Sequence, residues 1–192
     1  MKISKITIDN FRSIKHAEIT ADKFNVFVGQ NNHGKTNFFE AIDWFYGAKG
    51  DIEKIRFLRD GTTEVCVEIE FSEIKDGIQK MKNEKNKTTI QNLVGENDSV
   101  RIKRSSLDQK SRKIFDTRDN SWTEKNPFGA DGTLNDFLPK FEYVSTQINP
   151  MEMAKYGKNT PIANMLSGVL TAILEQNKDY AAFREKFDEL FT

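Results

Sequence analysis

The chain has 192 residues, with 29 lysines and arginines balanced by 29 aspartates and glutamates, so its formal net charge is zero. That length suits one well-cored domain, or one with a sizeable insertion, and excludes two full catalytic domains. The charge balance excludes a global field that would draw the protein onto nucleic acid or anionic lipid, so any such patch must be local. No run of about 18 apolar residues occurs, and the N-terminus alternates polar and apolar residues, which predicts a cytosolic protein with no membrane span. One cysteine, Cys66, excludes an internal disulfide and a cysteine-based zinc site, and two histidines, His16 and His33, leave little for a metal cluster.

In chain order the pattern predicts a mixed α/β fold. Residues 2 to 9 and 16 to 20 read as two strands returning antiparallel. Residues 23 to 29, "KFNVFVG", form a nearly continuous apolar run, as expected of a strand buried on both faces. A helix follows over 35 to 46, with Phe38, Phe39, Ala41, Ile42 and Phe45 on one broad face and Gly47 just past its end. Residues 63 to 71 alternate cleanly, Val65, Val67, Ile69 and Phe71 against Glu64, Glu68 and Glu70, so this strand is half exposed in an antiparallel sheet. Residues 75 to 98 are rich in lysine and asparagine and read as an exposed helix fading into loop. A hairpin over 99 to 105 and 111 to 117 comes next. An interior strand is expected over 139 to 146, and two amphipathic helices over 160 to 191. The expected organisation is a P-loop core at 1–58, an antiparallel β lobe at 59–122 with the exposed stretch 75–98 inserted, and an interior strand with a helical lobe at 139–192.

The chemistry concentrates in "GQNNHGKTN", residues 29 to 37. Gly29, Gly34, Lys35 and Thr36 satisfy G-x-x-x-x-G-K-[ST] between an apolar run and an amphipathic helix, the context that the motif requires. Glycines there let consecutive backbone N–H groups turn toward a phosphate, and the helix N-terminus adds the positive end of its dipole. Gln30, Asn31, Asn32, His33 and Asn37 complete the loop and the first helical turn. Lys35 is expected to reach β- and γ-phosphates as a point charge, and the Thr36 hydroxyl to ligate Mg²⁺. A glycine-rich turn with a surface lysine leaves the strand and helix on either side unexplained.

"ITIDNFRSIKHAEI" followed by "NVFVGQNNHGKTNFFEAI" resembles the N-terminal half of the ABC-type ATPase heads of RecF-like and SMC/Rad50-like proteins, most of all the OLD (overcoming lysogenization defect) family of ATP-dependent nucleases. The matched motifs are Asn10-Phe11-Arg12-Ser13, the loop, and "FEYVST" at 141 to 146, and the likeness is strongest over residues 1 to 47. It implies an α/β P-loop NTPase fold, ATP and Mg²⁺ as ligands, and Arg12 and Ser13 beside the nucleotide, where a guanidinium can pair with phosphate oxygens. A surface arginine after a strand is the plainer reading of Arg12. His33 stands where the family has a small residue, and reads as a solvent-facing side chain. The resemblance also implies that Gln147, after the interior strand, completes the Mg²⁺ shell; a loop glutamine is the alternative.

An ABC-type head needs an apolar strand ending in acidic residues to hold the metal shell and polarise the attacking water. None follows the loop here. "LSGV" at 166 to 169 mimics the ABC signature, but Leu166, Leu170, Ile173 and Leu174 run one helical face through it, so a core helix is the reading. In the family, the signature, the acidic strand and a Toprim nuclease centre lie further along the polypeptide. The chain therefore reads as half a site, completed by a C-terminal remainder or by a partner chain, with heads that pair as a homodimer or larger assembly around ATP. The expected function is the ATP-binding portion of a DNA-processing, repair or phage-defence ATPase, inactive in hydrolysis by itself. The alternative is a nucleotide-responsive interaction module without turnover. A small-molecule kinase suits neither the antiparallel lobe nor the absence of an arginine-rich lid. Residues 101 to 118 are locally basic, so Arg101, Lys103, Arg104, Arg112 and Lys113 are candidate contacts to DNA phosphates, a solvated hairpin being the alternative.

Overall fold

The computed structural model describes residues 1–143 except 32, 49, 82 and 130, and beyond them only isolated positions between 163 and 180. Contacts divide the chain into two units, Met1–Phe141 and Glu142–Thr192.

The first unit is built on a six-stranded antiparallel sheet. Strands β1 (Lys2–Phe11), β2 (Ile14–Thr20), β3 (Cys66–Ser72), β4 (Ser99–Ser105), β5 (Asp108–Asp116) and β6 (Ser121–Trp122) lie in the order β2-β1-β3-β4-β5-β6. Side chains alternate between faces with period two, and the register places Ile6 opposite Ile69 and Ile8 opposite Val67, so one face is largely apolar. Ile6, Ile8, Val67, Ile69, Phe71, Val100, Ile102 and Ile114 are buried on it. The helices α1 (Lys35–Gly47), α2 (Ile52–Ile55), α3 (Lys75–Lys80), α4 (Glu84–Val94) and α5 (Asp131–Phe137), with a short 3-10 turn at Phe57–Arg59, complete the described elements of this unit. Phe38, Ala41, Ile42, Trp44 and Phe45 of α1, Ile90, Leu93 and Val94 of α4, and Leu134 and Phe137 of α5 supply the rest of the core.

Four expectations about elements are corrected. Residues 23 to 29 form no strand: Phe24, Val26 and Val28 are 84%, 67% and 90% exposed, and only Phe27 turns in, its ring 4.6 Å from Phe38 and 5.2 Å from Phe39. An apolar run becomes a strand only where a neighbour supplies its ladder, and no described strand pairs with this one. Residues 75 to 98 are not a fading exposed helix but α3 and α4, with Asn83 as the N-cap of α4, accepting the Asn86 N–H at 3.2 Å. Ile78, Met81, Ile90, Leu93 and Val94 are buried; their spacing at 90, 93 and 94 was masked by the surrounding lysines and asparagines. Residues 139 to 143 carry no strand, and the rest of the expected interior strand, with Gln147, lies outside the described residues. Of the expected C-terminal helices, Leu166, Ile173 and Leu174 are helical and exposed, against the core reading of that face.

The core also contains charge. Arg104 and Arg112, on the apolar face of β4 and β5, are 1% and 0% exposed, and both converge on Asp131 at the start of α5. Arg112 donates through its backbone N–H and Nε to Asp131 Oδ1, each at 2.9 Å, and through Nη2 to the Asp131 carbonyl and Asn135 Oδ1, each at 2.8 Å. Arg104 donates through Nη2 to Asp131 Oδ2 at 2.6 Å, through Nη1 to the Gln109 carbonyl, and through Nε to the Phe45 carbonyl at 2.8 Å, in the last turn of α1. Burial pushes the Asp131 carboxyl up, but the hydrogen bonds and charges of Arg112 and Arg104 outweigh it and hold the group below its usual range. Asp116, which accepts the Arg118 Nη2, Nε and backbone N–H, is pushed down to about 2.

Carboxylates depressed in the fold contribute stability that is complete above their unfolded pKa, near ~3.9, and that is lost as pH falls through the folded value. We therefore expect the melting temperature to drop progressively between about pH 4 and pH 2, and Asp116→Asn to flatten part of that slope; scanning calorimetry against pH checks this.

Candidate phosphate-binding site

The turn between β1 and β2 and the N-terminus of α1 are built against each other. Asn10 and Arg12 flank Phe11 with φ of 56° and 50°, a left-handed pair that points Phe11 into the core, 6.2 Å from the Trp44 ring of α1. The Asn10 amide donates to the Glu64 carbonyl at 2.9 Å, and the Arg12 N–H to the Ile55 carbonyl at 2.6 Å, fixing both ends of the turn. Ser13 then meets the helix start: the Asn37 amide donates to Ser13 Oγ at 2.7 Å. Asn10-Phe11-Arg12-Ser13 thus positions the loop.

Gly34 occupies the N-cap of α1 with φ 85°, and no side chain caps the helix. The first intrahelical bond runs from the Phe38 N–H to the Gly34 carbonyl at 3.0 Å, so the N–H groups of Lys35, Thr36 and Asn37 have no acceptor among the described residues. Nothing lies within 4 Å of the position a Cβ on Gly29 would take. Lys35 spans the loop, its ammonium donating to the Gly29 and Gln30 carbonyls, each at 2.7 Å. An ammonium has three donors, so one remains, and among the described residues no carboxylate pairs with it. Thr36 is exposed and its hydroxyl has no hydrogen-bond partner among the described residues, as a metal ligand in waiting requires. These residues fit a phosphate chain with a divalent cation: free amides at a helix N-terminus, an uncompensated cation and a free hydroxyl in one loop.

The remaining candidates divide. His33 is exposed and its Nδ1 lies 3.0 Å from the Asn31 carbonyl, a local loop contact. Asn32 and Gln147 fall outside the described residues. Arg12 stands beside α1 but is ion-paired to Glu40, so its charge is already met. On the hairpin the two faces of the sheet separate the five basic residues. Arg101, Lys103 and Lys113 point to the outer face, whereas Arg104 and Arg112 point into the core and are not presented to any external phosphate. The sequence reading counted the charges without assigning them to faces, although the alternation Val100, Ile102, Arg104 puts Arg104 with the apolar set.

Gly34→Ala is expected to be costly. The left-handed backbone costs a non-glycine residue about 1–2 kcal/mol, and the new methyl would sit 3.1 Å from Ser13 Oγ, which Asn37 already holds. Gly29→Ala meets open space and should leave stability unchanged. Thermal melts of the two variants, side by side, test this asymmetry.

Comparison with known proteins places the chain among ATPase domains. The family model for the AAA ATPase domain matches residues 1–160. The Old nuclease of Escherichia phage P2 is 26% identical over 183 residues, covering 93% of this chain and 31% of that protein. The DNA double-strand break repair Rad50 ATPase of Saccharolobus solfataricus is 24% identical over 198 residues, 98% of this chain and 22% of that protein. Endonuclease GajA of Bacillus cereus is 50% identical over 42 residues, 22% of this chain and 7% of that protein. The chain thus spans less than a third of each of these relatives. A solved structure from work on ATP-driven dimerization and DNA-stimulated activation of SMC ATPases superposes with a TM-score of 0.51 at 18% identity, covering 79% of this chain and 95% of that one, and shares the fold. The chain belongs to the AAA ATPase domain family, its fold is that of an SMC-type ATPase head, and it is related in sequence to the Old nuclease and to RecF and Rad50 proteins.

Proposed function

We propose that the chain is the ATP-binding N-terminal part of an Old-like ATPase that serves DNA processing, repair or phage defence, and that its hydrolytic site is completed by polypeptide outside this chain. The observation that carries the reading is the loop at 29 to 37, where unpaired amides, the remaining Lys35 donor and the Thr36 hydroxyl converge. The amides of Lys35 to Asn37 bind the phosphate oxygens, and Lys35 exchanges a loop carbonyl for an anionic oxygen. The bond to a carbonyl is charged on the donor side alone, whereas a phosphate oxygen adds a charged acceptor, so that exchange is favourable. Thr36 is the residue of the loop that would hold Mg²⁺, and the cation when bound would neutralise charge on the β- and γ-phosphates. Arg12 and Ser13 border the site, and Glu40 competes with phosphate for Arg12.

Two apolar surfaces support completion by further polypeptide. Val26 and Val28 are exposed beside the loop, and a cavity of about 390 Å³ is walled by Phe27, Phe38, Phe39 and Ile42. Strands carrying the acidic residues would cover such surfaces, and two such heads would then pair around ATP. The same surfaces suit the second reading, a nucleotide-responsive module without turnover whose effector is a separate chain. Mg-ATP binding and turnover, measured on the 192-residue chain alone and joined to its C-terminal continuation, separate the two. The first reading predicts binding without turnover alone and turnover when completed. Robust turnover by the isolated chain would contradict both. Arg101, Lys103 and Lys113 are the proposed contacts to nucleic-acid phosphates.

A further inference from the structure

The outer face of the sheet carries an arrangement that folding alone does not explain. Lys103 on β4 and Lys113 on β5 stand directly opposite each other in the antiparallel register, and neither has a carboxylate within ion-pair distance among the described residues. Like charges opposed across strands destabilise a sheet. Beside them, Phe115 and Trp122 are register partners on the same face, their ring centroids 5.3 Å apart at 74°. Both rings are only half-buried. Arg101 lies 4.5 Å from the Phe115 centroid and Lys103 4.4 Å from that of Trp122. The aromatic pair is therefore wrapped in cations and open to solvent at the end of the sheet.

The acidic residues of the face lie to one side. Glu68 and Glu70 on β3, Asp9 on β1 and Glu18 on β2 occupy the far strands, and Glu68 holds Arg101 with its Oε1 2.7 Å from Nε. An anionic chain would be repelled from β1–β3 and confined to β4–β6.

We infer that this corner, Lys103, Lys113, Phe115 and Trp122, binds single-stranded nucleic acid, with phosphate between the two lysines and a base on Trp122. The inference deepens the nucleic-acid part of the proposed function and is independent of the phosphate loop. Single strands are selected because only unpaired bases offer a free face to an aromatic ring, whereas a duplex presents phosphates alone to a flat sheet. A base stacked on tryptophan outweighs an exposed ammonium over the same ring, so Lys103 leaves Trp122 for a phosphate as the base arrives. The opposed lysines then cease to be a liability, because one anion neutralises both.

The test uses the 192-residue chain with fluorescein-labelled 15-nucleotide oligothymidylate, oligouridylate and a duplex of equal length. We expect both single strands to bind more tightly than the duplex and to quench Trp122 fluorescence; Trp44, buried in the core, serves as the internal reference. The difference between the two single strands tells DNA from RNA. Trp122→Ala should weaken single-strand binding about tenfold without changing its salt dependence. Lys113→Glu supplies a second variant whose fold the melt itself checks: it replaces the like-charge opposition by a pair with Lys103, so it should raise the melting temperature while weakening binding and reducing the salt slope by at least about 0.7. Equal binding of duplex and single strand, or Trp122→Ala and Lys113→Glu variants that bind like the parent, would overturn the inference. Mg-ATP affinity, measured on the same variants, should not change, so the two sites fail or stand separately.

Discussion

Replacing Asp131 by alanine is expected to cost about 3–5 kcal/mol of folding stability, the largest effect of any single substitution in the described core. The reason is charge bookkeeping in a dry place. Two guanidiniums, each at most 1% exposed, share one carboxylate, and Arg112 Nη1 is buried with no partner. The cluster is already positive, relieved in part because Arg104 Nε reaches the Phe45 carbonyl at the negative end of the α1 dipole. Removing Asp131 leaves both cations uncompensated, and burial of an unpaired charge is far more costly than the pair itself is stabilising. Asp131→Asn should be nearly as damaging, since it keeps shape and loses charge. Adding Arg112→Met to the alanine variant removes one stranded cation and should recover part of the loss, a coupling that a urea-denaturation cycle measures. The consequence reaches the site, because Arg104 ties the far end of α1 to the sheet. A loosened α1 presents its N-terminal amides less rigidly.

The second large effect is functional. Lys35→Ala should abolish nucleotide binding while leaving the fold intact. Among the described residues the Lys35 ammonium bonds to the Gly29 and Gln30 carbonyls alone, which are exposed loop groups that water can satisfy. Its loss therefore costs little stability. Toward phosphate, the same ammonium would make charge-assisted bonds of about 1.5–3 kcal/mol each, and two of them amount to a loss of at least about 100-fold in affinity. Circular dichroism melts and titration with Mg-ATP on the same preparation check both halves. A variant that melts with the parent and has lost binding is the expected outcome.

What the residues disclosed in advance followed from short-range physics. The alternation of Val65, Val67, Ile69 and Phe71, the strand pair at the N-terminus and the helix after Gly34 were legible because each depends on neighbours two to four residues away. The loop was legible for the same reason, its glycines, lysine and threonine lying within eight positions. Residues 23 to 29 were misjudged because an apolar run states a wish for burial, not the identity of the partner strand. Arg104 and Arg112 were misjudged because charge was weighed above register: Asp131, the residue that makes their burial tolerable, lies 19 positions or more away, and nothing local announces it. The ion pair of Arg12 with Glu40 was invisible on the same ground, since it joins a turn to a helix 28 positions downstream.

The account rests on the amides and lysine of one loop selecting a polyphosphate, not on any affinity for a nucleoside. Calorimetric titration of the 192-residue chain with Mg-ATP, adenosine and inorganic tripolyphosphate tests that most directly. The account predicts that Mg-ATP binds, that tripolyphosphate competes with it, and that adenosine binds at least about 100-fold more weakly, the loss set by the charge-assisted bonds it cannot make. Adenosine binding as tightly as Mg-ATP, or tripolyphosphate failing to compete, would contradict it.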